Sequence, residues 1–232
     1  MRMQSIIKTS CGAALVVILV GCGDTEGGFT SSGSTGTNIP SAAHFSLASS
    51  EAPAAEVFTG TLADSSTWVW EVDHEVDISI TVGDNKNIKV NGGTVHFAVD
   101  YGLLSAANCT LDNGSCSIKW YSEGFSQAPL DNYATITAWM IGEESYYDIN
   151  DSGNFDDGDI QSTDTAEPFL DINHNGTFDT GIDVLIDIDN NSTFTPADGL
   201  FNGQNCTHST LCSPTTRIPI YDILYMNMDA RT

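Results

Sequence analysis

Residues 68–82 alternate. Even positions carry Trp68, Trp70, Val72, His74, Val76, Ile78, Ile80 and Val82, while the odd ones are mostly Glu, Asp, Ser and Thr. A period of two marks strands that bury one face. The run exceeds the usual strand length of about 5–6 residues, so a break is expected near Asp73-His74-Glu75, with His74 packed or at an edge rather than a ligand. Similar β-rich runs occupy 94–99 after the turn Asn91-Gly92-Gly93, 116–120 after Asn113-Gly114, 134–140 and 218–226, with a further candidate at Val57-Phe58-Thr59. No long amphipathic helix stands out. Short strands separated by turn signals predict an all-β sandwich or barrel.

Charge changes the picture. The 232 residues include 31 acidic and 7 basic ones, a formal charge of −24. Phosphate binding needs clustered Lys and Arg, so nucleic acid is excluded as a partner, and so is electrostatic docking on anionic lipid. An apolar fraction of 41% is too high for a wholly disordered acidic chain. So one-signed a field needs a counter-charge, or a fold that tolerates self-repulsion.

The N-terminus reads as an export signal over residues 1–21. Arg2 and Lys8 supply a basic start, and an apolar core follows at 13–20, too short to span a bilayer of about 30 Å. The sequence Leu19-Val20-Gly21-Cys22 resembles the lipobox of bacterial lipoproteins. That resemblance implies acylation of Cys22, loss of Cys11, and a lipid anchor in the cell envelope, at the outer membrane or cell surface. The mature chain would then carry 5 basic against 31 acidic residues, a charge of −26. Residues 23–43 contain five Gly, four Ser and four Thr, a composition of flexible tethers. A lipidated terminus and linker are therefore assigned to 22–50, a β-domain to 51–142 plus 215–232, and an acidic insertion to 143–214.

Export places the remaining cysteines in an oxidising compartment. Four cysteines allow three connectivities. The close spacings favour Cys109–Cys116, as a bridge across a hairpin turning at Asn113-Gly114, and Cys206–Cys212. A cysteine metal site is the rival reading, but CxxC spacing and a matching His pair are missing.

The stretch ITVGDNKNIKVNGGTVHFAVDYGLL, then CTLDNGSCSIKWYSEG, then YATITAWMIGEES, covering about residues 76–145, resembles bacterial immunoglobulin-like domains of the invasin/intimin type. The resemblance implies an immunoglobulin-like β-sandwich with a surface or adhesive role rather than an enzyme. In that family an Asp/Asn-rich segment sits between the penultimate and last strands.

The most specific chemistry lies in three twelve-residue windows, 148–159, 171–182 and 187–198, which share D-I-[ND]-x-[SN]-[GS]-x-F. They resemble the calcium loops of EF-hands, dockerins and thrombospondin type 3 repeats. Calcium takes six to eight hard oxygens at about 2.3–2.6 Å, and a chain wrapping one ion presents side chains at loop positions 1, 3 and 5 and turns sharply at 6. The first loop offers Asp148, Asn150, Ser152, the Asn154 carbonyl, Asp156 and Asp159, with Gly153 at the turn. The second offers Asp171, Asn173, Asn175, the Thr177 carbonyl and Asp179; Ile182 stands at position 12, so Asp183 closes it one residue late. The third offers Asp187, Asp189, Asn191, the Thr193 carbonyl and Asp198, with Ser192 at the turn and Thr195 at position 9. Ile149, Ile172 and Ile188, with Phe155, Phe178 and Phe194, recur in phase beneath the oxygens. Residues 120–216 hold 17 Asp and Glu but no Lys or Arg, so a divalent cation is the natural balance. Two to three calcium ions are expected. A solvated acidic loop is the alternative, since Asp, Asn and Gly favour turns by themselves. Four residues, 183–186, separate the second and third loops, too few for EF-hand helices. The loops should instead stack, with Glu143, Glu144 and Glu167 reaching across.

No G-x-S-x-G, H-E-x-x-H or Gly-rich phosphate loop occurs, and most carboxylates fall in the metal spacing. The reading is a lipid-anchored, calcium-stabilised surface protein, not an enzyme, with a surface protein or glycan as partner. The alternatives are a calcium-dependent glycan or small-ligand module and, after it, a hydrolase.

Overall fold

A computed structural model describes residues 36–51, 54–61, 64–124, 129 and 131–229. The export signal, Cys22 and most of the tether lie outside the described residues. The fold is nearly all β. Its strands are β1 (Phe45–Ser49), β2 (Ala54–Thr61), β3 (Asp64–Trp70), β4 (Glu75–Val82), β5 (Thr94–Val99), β6 (Leu103–Leu104), β7 (Asn108–Thr110), β8 (Ser115–Tyr121), β9 (Tyr133–Gly142), the two-residue strands β10 (Tyr146–Tyr147), β11 (Ile160–Gln161), β12 (Phe169–Leu170) and β13 (Val184–Leu185), and β14 (Ile218–Asp229).

Two larger sheets form, ordered β1-β4-β8-β6 and β3-β2-β14-β9-β5-β7. They share one core. Val76, Ile78, Ile80, Val82, Ile118 and Trp120 enter it from the first sheet, and Val95, Phe97, Ile136, Ala138, Met140 and Ile220 from the second. Strand β4 alternates strictly between exposed and buried residues, as its period of two requires. Trp120 is fully buried, and its indole N–H donates to the Tyr101 carbonyl at 2.8 Å. Gly102 has φ +87°, and a Cβ there would run into the indole; the neighbouring turn needs glycine for both reasons.

The long alternation of 68–82 is interrupted where expected. Strand β3 ends at Trp70, Asp73 turns in the left-handed region (φ 62°), and β4 begins at Glu75. His74 sits at this edge, 2.9 Å from Glu51 and 3.3 Å from Glu71.

One sequence expectation is corrected and another is extended. The linker does not extend to residue 50: β1 pairs with β4 along Phe45–Ser49, with Phe45 and Leu47 buried. The Thr37 N–H also donates to Asp84 at 2.7 Å. A five-residue strand among Ser and Ala is too short for its alternation to outweigh composition. Cys109 and Cys116 pair as expected, across a tight turn in which Asp112 and Ser115 exchange backbone hydrogen bonds. The turn has left-handed Asn113 and Gly114, yet β7 joins β5 in one sheet and β8 joins β4 in the other. The disulfide therefore fastens the two sheets together.

Strands β9 and β14 pair antiparallel from Gly142 opposite Ile218 to Tyr133 opposite Asn227. Between them the chain leaves the sheets for the acidic insertion. The insertion covers the outer face of β9, burying Thr135 and Thr137 completely. Their hydroxyls donate to the carbonyls of Asp171 (3.2 Å) and Phe169 (2.7 Å). Among the described residues no helix is long and apolar enough to cross a membrane.

Candidate metal centres

The three loops share one backbone conformation. Position 4 is left-handed in each (Asp151 56°, His174 58°, Asn190 59°), and so is position 6 (Gly153 77°, Gly176 77°, Ser192 61°). Left-handed φ is costly for residues with a Cβ, and four of these six positions carry one, so the repetition points to a common geometric demand. The carboxylate at position 1 supplies part of it. Asp148 accepts the N–H groups of Ser152 and Gly153 at 3.0 and 2.8 Å. Asp171 accepts those of Asn175 and Gly176 at 3.2 and 2.6 Å, and Asp187 those of Asn191 and Ser192 at 3.1 and 3.0 Å.

The side chains at positions 3, 5 and 9 converge inside each turn. In the first loop Asn150 Nδ2 and Ser152 Oγ donate to Asp156 at 3.0 and 2.8 Å, and Ser152 Oγ lies 3.1 Å from the Asn154 carbonyl. In the second, Asn173 and Asn175 both donate to Asp179 Oδ2, at 2.8 and 2.6 Å. In the third, Asn191 Nδ2 and Thr195 Oγ1 donate to Asp189 Oδ2 at 2.7 and 3.0 Å. Thr177 and Thr193 turn N–H and hydroxyl toward the amide oxygens of Asn175 and Asn191.

A further carboxylate closes each loop in the same way, accepting the N–H groups of positions 2 and 9. In the first loop Asp159 bonds Ile149 and Asp156 at 2.8 and 2.9 Å. In the second, Asp183 bonds Ile172 and Asp179 at 2.9 and 2.6 Å, one residue later than twelve. In the third the closing group is Glu167, which bonds Ile188 at 2.6 Å and Thr195 at 3.2 Å. Asp198 is not brought to this loop; it is exposed and bonds the Leu200 N–H at 2.8 Å. Counting forward from Asp187 selects Asp198, whereas the chain closes the cup from upstream. A signal for this exists in the sequence: Glu167 stands four residues before Asp171, as Asp183 stands four before Asp187.

Loops two and three form a pair. Strands β12 and β13 lie antiparallel between them, and Phe178 stacks on Phe194 at 4.4 Å, with Phe169 edge-on to both. The first loop has its own small core, in which Phe155 meets Tyr146, Phe201 and His208. The disulfide Cys206–Cys212 closes the segment that wraps it, with Phe155 bonded to Asn205, Thr207 and His208.

Electrostatics follow burial. Asp171 is fully buried. Desolvation opposes its charge, but Tyr225 Oη at 2.5 Å and the N–H groups of Gly176, Asn175 and His174 outweigh it and hold the pKa below the ordinary carboxylate value. Burial also drives Glu144, against hydrogen bonds from Asn202 and Thr165 and with the charges of Asp164 and Asp198 adding to it, up to about 7. Glu143 is raised, chiefly by burial. It reaches Asn85 and Gln204 N–H, both at 2.9 Å. Among the described residues, Glu167, Asp187 and Asp189 bring one oxygen each within 4.8 Å of one another. That spread matches oxygens around one ion at about 2.3–2.6 Å. The chain was compared with protein-family models, with curated proteins and with solved structures, and it matches none of them.

Proposed function

We propose that the protein is a lipid-anchored envelope protein of structural or adhesive role. Its two sheets form an immunoglobulin-like sandwich, and its insertion is rigidified by calcium in three loops. One observation carries the reading. Three loops of different sequence repeat the same left-handed positions, the same convergence of oxygens and the same closing carboxylate, one of them drawn from upstream. Hydrogen bonds alone do not explain why so many carboxylates gather in a segment, 120–216, that holds no Lys or Arg of its own; a divalent cation does. The residues fit a hard ion through carboxylate, amide and hydroxyl oxygens. Bound only by the folded loops, calcium stabilises them by mass action.

The test is thermal unfolding of the exported protein in detergent, in calcium and in chelator. With extracellular-type affinity of about 10⁻⁴–10⁻³ M, calcium at a hundredfold excess over its dissociation constant contributes about 2.7 kcal/mol per site. That raises the melting midpoint on the order of 5–10 °C per site for a domain of this size. Superimposed curves would remove the metal from the account.

A second reading has its own support. A cleft of about 440 Å³ beside the third loop is lined by Ile141, Ile188, Glu167, Asp189 and Arg217, among others. A glycan or small ligand seated there would meet a calcium-bearing loop, and calcium-dependent retention on a glycan column would favour this role over a purely structural one.

A further inference from the structure

Glu144 repeats the placement of Glu167. Each stands four residues before the first Asp of a loop, and each precedes a two-residue strand, β10 or β12. The partner of β12, β13, runs on into the third loop, and Glu167 closes that loop. The partner of β10, β11, runs on into Thr163-Asp164-Thr165, and the Glu144 carboxylate reaches over to bond the Thr165 N–H at 2.7 Å. No twelve-residue loop follows at this point. The returning chain arrives instead: Glu144 Oε2 accepts the Asn202 N–H at 2.9 Å, and Asp164 accepts the Gly199 N–H at 3.1 Å.

Oxygens are in surplus here. The Gln161 amide nitrogen has two hydrogens but faces three acceptors: Glu144 Oε2 (3.0 Å), the Thr163 carbonyl (2.9 Å) and the Leu200 carbonyl (3.2 Å). Asn202 is only 6% exposed, and its Oδ1 is the single buried side-chain nitrogen or oxygen among the described residues with no hydrogen-bond partner. Its other amide atom lies 3.5 Å from Asp198 Oδ2, and Asn202 and Asp198 line the same cleft. An orphaned buried amide oxygen is costly, and the three carboxylic groups around it form no ion pair among the described residues, although Arg217 lines the same cleft.

We propose that a further calcium ion, outside the three loops, binds among Glu144, Asp164, Asp198 and Asn202, drawing the two exposed carboxylates toward the buried one, with Asn202 Oδ1 as a neutral ligand. This deepens the calcium reading by adding a site that loop spacing does not describe. The ion satisfies the orphaned oxygen and offsets the fully buried Glu144 carboxylate. It also ties the start of the insertion, beside β9, to the segment that returns toward β14.

Equilibrium dialysis of the full chain in detergent with radioactive calcium counts the ions directly. Asp198→Asn should bind one calcium per chain fewer than wild type. Asp148→Asn, Asp171→Asn and Asp187→Asn combined should retain one. An unchanged count in Asp198→Asn overturns the fourth site while leaving the loops intact. A wild-type count of zero overturns both readings. Asn202→Asp guards against a folding artefact: with an ion present the added charge tightens one site on the order of tenfold. If only water sits there, the same variant melts lower in calcium and in chelator alike and tightens no site, which also overturns the proposal.

Discussion

The two-sheet body and the acidic insertion are held by different forces. In the body, Ile78, Ile80, Ile136 and Trp120 lie at or near zero exposure in one continuous core. Each such side chain contributes about 1.5–3 kcal/mol through burial, independently of ions. The insertion has only short two-residue ladders and two aromatic clusters. Beyond these and the Cys206–Cys212 disulfide, its order comes from carboxylates that accept backbone N–H groups, and every added carboxylate adds repulsion. The lesson is that apolar burial stabilises a region without adding charge, whereas order built from carboxylates accumulates repulsion that something else must offset.

Several substitutions would break or sharpen that contrast. The largest effect is expected from Ile78→Ala, a cavity in the centre of the body. It should cost about 2–5 kcal/mol, equally in calcium and in chelator, as measured by denaturant unfolding. A cost that vanishes in chelator would mean that the two regions unfold as one ion-dependent unit. Next comes Glu167→Gln, which should remove most of one site's calcium stabilisation, about 2.7 kcal/mol at a hundredfold calcium excess, without changing the chelated protein to the same extent. Calcium-dependent melting reads the difference, and an undiminished calcium shift would return the third loop's closure to Asp198.

Ser192→Gly acts in the other direction. Ser192 holds φ 61°, the conformation that Gly153 and Gly176 adopt without a Cβ. Relief of that strain, about 1 kcal/mol, should raise the midpoint and tighten the third loop. A neutral or destabilising result would show that the serine makes a compensating contact. The smallest effect concerns His74. Desolvation disfavours its charge, but hydrogen bonds and attraction from Glu51, with Glu71, hold its pKa above 6.5. A raised histidine pKa stabilises fully below the unfolded value and is lost as pH rises through the folded one. The stability gap between wild type and His74→Gln should be widest from about pH 5, where the glutamates are still ionised, to 6.5, and should close above the raised pKa. A gap that does not change with pH would make His74 a packing residue only.

Much of this was legible in the chain. Strands β4, β5, β8, β9 and β14 carry their period of two or their β-branched density in plain view, because each turns one face toward the core. The loops were legible because oxygens and aromatic residues recur in phase. What escaped were relations between segments distant in sequence. Spacing shows that Cys109 and Cys116 are close, not that the strands beyond them part into different sheets. Glu167 lies outside any window read forward from Asp187. Asn202 and Tyr225 carry no motif at all; only the return of the chain over β9 brings them to Glu144 and Asp171. Strand β1 was hidden by its Ser- and Ala-rich surroundings.

Because Asp183 completes the second cup just ahead of the third, and Glu167 completes the third just ahead of the second, neither cup is a portable module. Deleting 167–182 or 183–198, a loop together with the acid four residues ahead of it, would not leave two good cups and one lost. It would leave one good cup and a remnant with no lid. Growth or shrinkage of this region over generations should therefore proceed in steps of two repeats, and a designer transplanting the motif should lift the segment from Glu167 through Thr195 as a whole.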